Sequence, residues 1–401
     1  MRTIGISLAC LVLMLSSIRM QATDNGTQPL WAVDLRPFSY SSRPNPHYIG
    51  GKAYIGGKFV DIGVLFPTSD EVICYFVTKA DAGQLVRRNE LTPTDPFVLQ
   101  FVAFDAKTGA LKFRKQLPTR SGISSVMMND EGNFIVRNGD FLRLYSPDFK
   151  VLRERKLEGV KKYDYWELRL SPTGRTLLLK HYIPSNTHIE ILRSSSLSPL
   201  GSGLDRALSF RFAISDDSLA TAEESTRGLL RKFVEPWRVI WEGKSHLCLP
   251  TPAFVTNTEL LTLCWYELTV VNTKGQIIMQ DRLEGGKKES LEELTSVTRD
   301  GKFFAVSAEQ EKGGFMDLTD IRRSRTRILI YDTNLRKRIS SVQVVPIPKA
   351  DYDFALSRDG SKLAVMIDDH LNIYDTGAAE KPTEHSRQPP SSASTLVIRK
   401  R

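Results

Sequence analysis

Residues 298–306 read Thr298-Arg299-Asp300-Gly301-Lys302-Phe303-Phe304-Ala305-Val306. A turn rich in Asp, Gly and Ser or Thr runs straight into an apolar stretch. Asp-Gly and related pairs accept the positive φ angles that close two antiparallel strands tightly. The same order returns as Ser357-Arg358-Asp359-Gly360-Ser361 before Lys362-Leu363-Ala364-Val365, and as Ser171-Pro172-Thr173-Gly174-Arg175 before Thr176-Leu177-Leu178-Leu179. Weaker copies are Asn129-Asp130-Glu131-Gly132 and Ser215-Asp216-Asp217. Recurrence of one supersecondary unit is the mark of a repeat architecture.

Working outward, a second signature follows each turn. It is a strand ending in an aromatic and a polar residue, a tight turn, and a last strand. Phe104-Asp105-Ala106-Lys107-Thr108-Gly109, Tyr145-Ser146-Pro147-Asp148, Val271-Asn272-Thr273-Lys274-Gly275, Tyr331-Asp332-Thr333-Asn334 and Tyr374-Asp375-Thr376 carry it. Together the two signatures predict an all-β chain: a single β-propeller of about seven four-stranded blades. The predicted units span 59–117, 122–159, 163–202, 206–243, 247–285, 290–346 and 350–377. The last is one strand short. Leu30-Trp31-Ala32-Val33-Asp34-Leu35 reads as a strand without local partners, so it is expected to close the ring as the outer strand of the seventh blade. Closure hides a strand edge.

Residues 30–377 resemble the WD-repeat-like propellers of bacteria, the TolB-like and YVTN-type families included. Phe104-Asp105, Tyr331-Asp332 and Tyr374-Asp375 stand where true WD repeats have Trp-Asp, and the Gly-His pair is missing. The resemblance implies a fold, and function does not follow from it.

Residues 1–22 read as a secretory signal: Arg2, then the apolar run Ile4–Leu15, then a polar stretch to Ala22. Twelve apolar residues fall short of the ~20 that a bilayer span needs. The expected mature chain is therefore exported, to the periplasm or beyond, and carries no transmembrane segment. Loss of Arg2 and Arg19 takes the formal charge from +9 to +7. Residues 378–401, with Pro389, Pro390 and a basic end, are expected to form a disordered tail. The modest charge left on the body speaks against nucleic acid as a partner. Cys74, Cys248 and Cys264 remain in the mature chain, and the last two fall in one repeat where an oxidising compartment would let them bridge.

Three insertions interrupt the pattern: Pro37–Lys58, Lys79–Val98 and Gln310–Thr326. Topology sends all three to one face, and long loops on a rigid scaffold are where recognition residues gather. The residues expected to contact a partner there are Tyr40, Arg43, Tyr48, Arg87, Arg88, Phe315, Arg322 and Arg323, with Tyr165 and Trp166 at the mouth of the third blade. Their chemistry suits a protein, peptide or glycan of the cell envelope, met by a monomer.

No GxSxG elbow, Walker loop, HExxH or EF-hand loop is present. His181 and His188 flank a hairpin without a carboxylate in register, and Asp368-Asp369-His370 reads as a polar hairpin tip. The expectation is a binding module with no catalytic residues, metal or cofactor. The alternative is a propeller hydrolase or lyase acting at the mouth of the central channel.

Overall fold

The computed structural model describes residues 28–40, 62–79, 97–119, 124–157, 165–183, 186–205, 212–217, 220–223, 229–232, 238–242, 251–284, 289–312, 322–348 and 352–378. The expected signal, the tail from 379 onward, and the candidates Arg43, Tyr48, Arg87, Arg88 and Phe315 lie outside the described residues.

The described strands sort into seven four-stranded antiparallel sheets. The first holds β2–β5 (Ile62–Thr68, Glu71–Lys79, Phe97–Asp105, Leu111–Thr119), and the second β6–β9 (Ser124–Met128, Phe134–Asn138, Phe141–Tyr145, Val151–Lys156). The third holds β10–β13 (Tyr165–Leu170, Thr176–Ile183, Asn186–Arg193, Ser198–Asp205), and the fourth β14–β17 (Phe212–Ile214, Ala220–Glu223, Leu229–Lys232, Arg238–Glu242). The fifth holds β18–β21 (Thr251–Thr256, Glu259–Cys264, Glu267–Asn272, Ile277–Arg282), and the sixth β22–β25 (Glu289–Val297, Phe303–Lys312, Arg322–Asp332, Lys337–Gln343). The last sheet joins β26–β28 (Asp353–Leu356, Lys362–Ile367, His370–Asp375) to β1 (Trp31–Asp34) from the other end of the chain.

That last pairing closes the ring. Trp31 lies opposite Ile373 and Asp34 opposite His370. The amides of Leu30 and Leu35 add bonds to the carbonyls of Ile373 and Asp369 at 2.6 and 2.8 Å. The first strand of each blade is innermost. β2 packs beside β6 on one side and β26 on the other, and β10, β14, β18, β22 and β26 follow one another round the ring. Between blades two and three, both Arg155 Nη2 contacts reach Glu190, at 2.6 and 2.8 Å. Between seven and one, the Val64 amide donates to Asp353 Oδ2 at 2.9 Å. The chain is a single β-propeller.

Burial explains the strand sequences. Second strands have a neighbouring blade on both faces and read as continuous apolar runs: Val72–Phe76 and Leu363–Ile367 are buried throughout. Outer strands meet water, and Val151–Lys156 is exposed at five of its six positions. Most of the core therefore lies between blades. Phe101, Phe134 and Phe149 stack there, with Phe134 and Phe149 rings 5.0 Å apart and 13° from parallel.

The two sequence signatures prove to be two halves of one lock. In the first turn, the Phe303 amide donates to Thr298 Oγ1 at 3.0 Å, and the Gly301 amide to the Thr298 carbonyl at 2.8 Å. Asp300 accepts from the Thr298 hydroxyl and the Lys302 amide. Ser357 with Asp359 repeats this geometry, and Ser171 and Asn129 repeat its core. The hydroxyl after the aromatic-Asp pair then reaches the turn glycine: Thr333 Oγ1 to the Gly301 carbonyl at 2.7 Å and Thr376 Oγ1 to Gly360 at 2.6 Å; in blade three Ser194, after Leu192-Arg193, does the same to Gly174 at 2.6 Å. Both turns of a blade thus sit at one end, hereafter the turn face.

One insertion is shorter than its sequence suggests. β23 runs to Lys312 and β24 begins at Arg322, so only 313–321 lies between them. The polar residues that read as loop are paired strand, with Gln310 opposite Arg325 and Glu311 opposite Arg323.

Candidate functional site

The connections between second and third strands, and those between blades, open on the face opposite the locks. Among the sequence-selected residues there, Tyr40 is a correction. It follows the turn Arg36–Phe38 and is buried, its ring 4.8 Å from that of Phe76. An aromatic near an apolar strand end is drawn into the core by its area, and the sequence offers no sign of which way the chain turns after Pro37. Arg322 and Arg323 stand on β24 rather than on a loop. Tyr165 and Trp166 begin β10, opposite Tyr182 and His181.

The tight hairpins on this face show what the sequence reading missed. β19 and β20 are joined by Trp265 and Tyr266 alone. Trp265 has φ 53°, a left-handed backbone that suits glycine, and its side chain is 63% exposed. Its carbonyl accepts the Leu291 amide of blade six, and Tyr266 accepts the Leu283 amide at 2.9 Å. The Arg282 guanidinium lies 4.7 Å from the Tyr266 ring centre. Cys264, the residue before Trp265, is disulfide-bonded. Cys74 is free and buried, so the partner of Cys264 lies outside the described residues. The signal was available in sequence only as Cys264-Trp265-Tyr266-Glu267, an aromatic pair in a gap too short for anything but a turn.

At blade seven the equivalent hairpin is Asp368-Asp369, with Asp368 also left-handed at φ 48°. Beside it Arg36 holds Asp34 through Nε and Nη2, at 2.7 to 3.0 Å. This lowers the Asp34 pKa to about 2. His181 and His188 lie directly opposite in the ladder, as a hairpin requires. Among the described residues no group of three His, Cys, Asp or Glu is placed to hold a metal ion. No helix among them is long and apolar enough to cross a membrane.

The charged pair Glu289–Arg327 is buried inside the ring. Glu289 accepts from Arg327 Nε at 2.8 Å and also from Nη2. Burial and the neighbouring Glu309 push the Tyr352 hydroxyl pKa well up. The Glu289–Arg327 pair joins β22 to β24.

No protein-family model matches the chain, and no curated sequence matches it. Solved structures do resemble it. One from the mitotic checkpoint complex superposes with a TM-score of 0.53 at 12% identity, over 94% of this chain and 99% of that one. The β-propeller domain of Cps50 (Swd1) from Myceliophteria thermophila gives 0.50 at 12% identity, over 82% and 100%. Raptor from Chaetomium thermophilum gives 0.52 at 12%, over 85% of this chain and 30% of that one. The likeness is one of fold, that of WD40 propellers.

Proposed function

We propose that the protein is an exported, monomeric binding propeller that recognises a protein, peptide or glycan partner through the face opposite the turn locks. Trp265 carries this reading. A left-handed non-glycine residue costs about 1–2 kcal/mol, and strain of this kind persists where the surrounding structure holds it for a purpose. Here a disulfide, two interblade or interstrand amides and a stacked arginine hold a large aromatic out in water. Rigid, exposed aromatics on short turns are the anchors that dominate binding energies. WD40-type fold neighbours support a protein partner, and aromatic-Asp in place of Trp-Asp fits kinship with TolB-like or YVTN-type propellers.

Export rests on the apolar leader and on the bonded Cys264, since disulfides persist in oxidising compartments. Cys248 is the partner this reading assigns, because Cys10 leaves with the leader. Trp265→Gly is the decisive variant. It relieves the backbone strain, so the melting temperature holds or rises, while cross-linked capture of a partner from the extracytoplasmic fraction is lost. Undiminished capture by the Gly variant refutes the assignment.

A further inference from the structure

The turn face has a feature that neither the locks nor the opposite face accounts for. Arg299 belongs to the first turn of blade six, yet its Nη1 and Nη2 donate to the carbonyls of Asp130 at 3.1 Å and Asn129 at 2.9 Å. Those residues form the first turn of blade two. Blades two and six are separated by blades seven and one on one side and by three to five on the other. The guanidinium therefore lies across the central opening. Its acceptors are neutral carbonyls. Among the described residues no carboxylate is within ion-pair distance of it, although the Asp130 charge acts on it from further away.

Arg358, from the equivalent turn of blade seven, is near enough for its charge to bear on Arg299. It is exposed and makes no hydrogen bond or ion pair with any described residue. The acids of these turns are occupied elsewhere. Asp300 and Asp359 accept from their own turns, Asp216 accepts the Thr173 amide and hydroxyl at 2.9 and 2.7 Å, and Asp130 Oδ2 lies 3.5 Å from Arg175. Burial and the like charge of Arg358 lower the pKa of Arg299, and together they outweigh the opposing pull of the Asp130 carboxylate.

A third unused donor belongs to the turn that Arg299 reaches. Asn129 is fully buried, and its Nδ2 has no partner. Its orientation is fixed, because Oδ1 accepts the amides of Glu131 and Asn133 at 3.1 and 2.8 Å. A buried unsatisfied donor costs about 1–3 kcal/mol, and an ordered water or ion is a common way of meeting it.

We propose that the turn-face mouth of the channel is a binding site for a phosphate group, held between Arg299 and Arg358 with Asn129 Nδ2 as a neutral donor. Two guanidinium groups without carboxylate partners match a doubly charged tetrahedral anion, and arginine forks pair with phosphate oxygens in charge-assisted bonds. Free phosphate and a phosphate monoester on a lipid share this chemistry.

The test uses the whole mature chain, with inorganic phosphate followed by calorimetry and by phosphorus line-broadening, against chloride of equal ionic strength. The parallel arm uses vesicles with and without phosphatidic acid. Arg358→Gln is the clean variant, since the side chain is exposed and bonds to none of the described residues. Saturable binding to either phosphate source, weakened at least about tenfold in Arg358→Gln with an unchanged melting temperature in chloride, upholds the site. Binding to neither source, or equal binding by the variant, overturns it. Trp265→Gly leaves phosphate binding intact, so failure here and failure of the partner-binding face are read separately.

Discussion

Replacing Leu35 by Ala tests whether the first described strand closes the ring. Leu35 follows β1 directly, is 0% exposed, and sits in one core with Leu371 and Ile373 of β28 and with Phe76, Val102 and Phe104 of blade one. The substitution removes three carbons, worth about 2.4 kcal/mol at ~0.8 kcal/mol per buried methylene. Neighbours on two blades keep the site from collapsing, so a cavity contribution brings the loss to about 3–4 kcal/mol, inside the measured range for such changes. Urea unfolding followed by both tryptophan fluorescence and far-ultraviolet dichroism reads it, as a lowered midpoint at constant slope. Leu335→Ala is the control. That side chain is 59% exposed, and its truncation should stay within about 0.5 kcal/mol. A loss below about 1 kcal/mol at Leu35, or a change seen by one probe alone, means that β1 is not part of the cooperative ring, and the closure argument fails.

The buried pair gives a second test. Arg327→Met strands Glu289 and should cost about 3–5 kcal/mol, while the double variant with Glu289→Leu regains most of it; denaturant midpoints of the two decide. Gly360→Ala and Gly377→Ala separate sterics from backbone strain. Both positions have positive φ, but a Cβ at Gly360 would lie 2.4 Å from the Phe303 ring, whereas none of the described atoms comes within 4 Å at Gly377. The melting temperature should fall clearly further for Gly360→Ala, with Gly377→Ala costing only about 1 kcal/mol. Asp34 has a folded pKa of about 2, below its ordinary 3.8. Its contribution is thus present above pH ~4 and lost as pH falls toward 2; carboxyl carbon NMR should show the low titration in the native chain and its return toward normal in Arg36→Ala. Burial pushes the Cys74 thiol well up, so native protein should resist alkylation there until denatured, and mass spectrometry of unreduced digests should join Cys264 to Cys248.

The fold was legible because its determinants are local and repeated. Thr298, Ser357 and Ser171 cap their turns with side-chain oxygens, and the following Gly residues take φ of 67°, 70° and 89°. Each requirement falls on a residue type within five positions, so it recurs visibly in the sequence. The outer lock was legible as a pattern but not as a bond, since Thr376 and Gly360 meet only after three strands have folded. The same limit hid the fate of Tyr40, whose partner Phe76 lies 36 positions away, and turned the ends of β23 and β24 into an apparent loop. Arg299 looked like any turn residue, because nothing near it in sequence says that blade two faces it.

The two faces of the ring therefore differ in what they demand of the chain. On the turn face nearly every polar group is used by the repeat itself, so a residue that departs from the pattern stands out against many satisfied equivalents. Arg299 and Asn129 depart in opposite ways, one by reaching across the opening, the other by leaving a buried donor unused. The opposite face has no such template. Its two-residue hairpins differ from blade to blade: Gly139-Asp140 with glycine left-handed, Trp265-Tyr266 with tryptophan left-handed, and Asp368-Asp369 with aspartate left-handed. Glycine at that position satisfies geometry alone. Tryptophan there satisfies geometry poorly and solvent worse, and stability gives no reason to keep it. An exchange of the two residues between hairpins, Gly139→Trp with Trp265→Gly, should leave the ring folded, though less stable at blade two by about 1–2 kcal/mol. If recognition depends on an aromatic at blade five, that exchanged chain loses its partner. If a protruding ring anywhere on the face suffices, the partner stays, and the specific role argued for Trp265 is wrong.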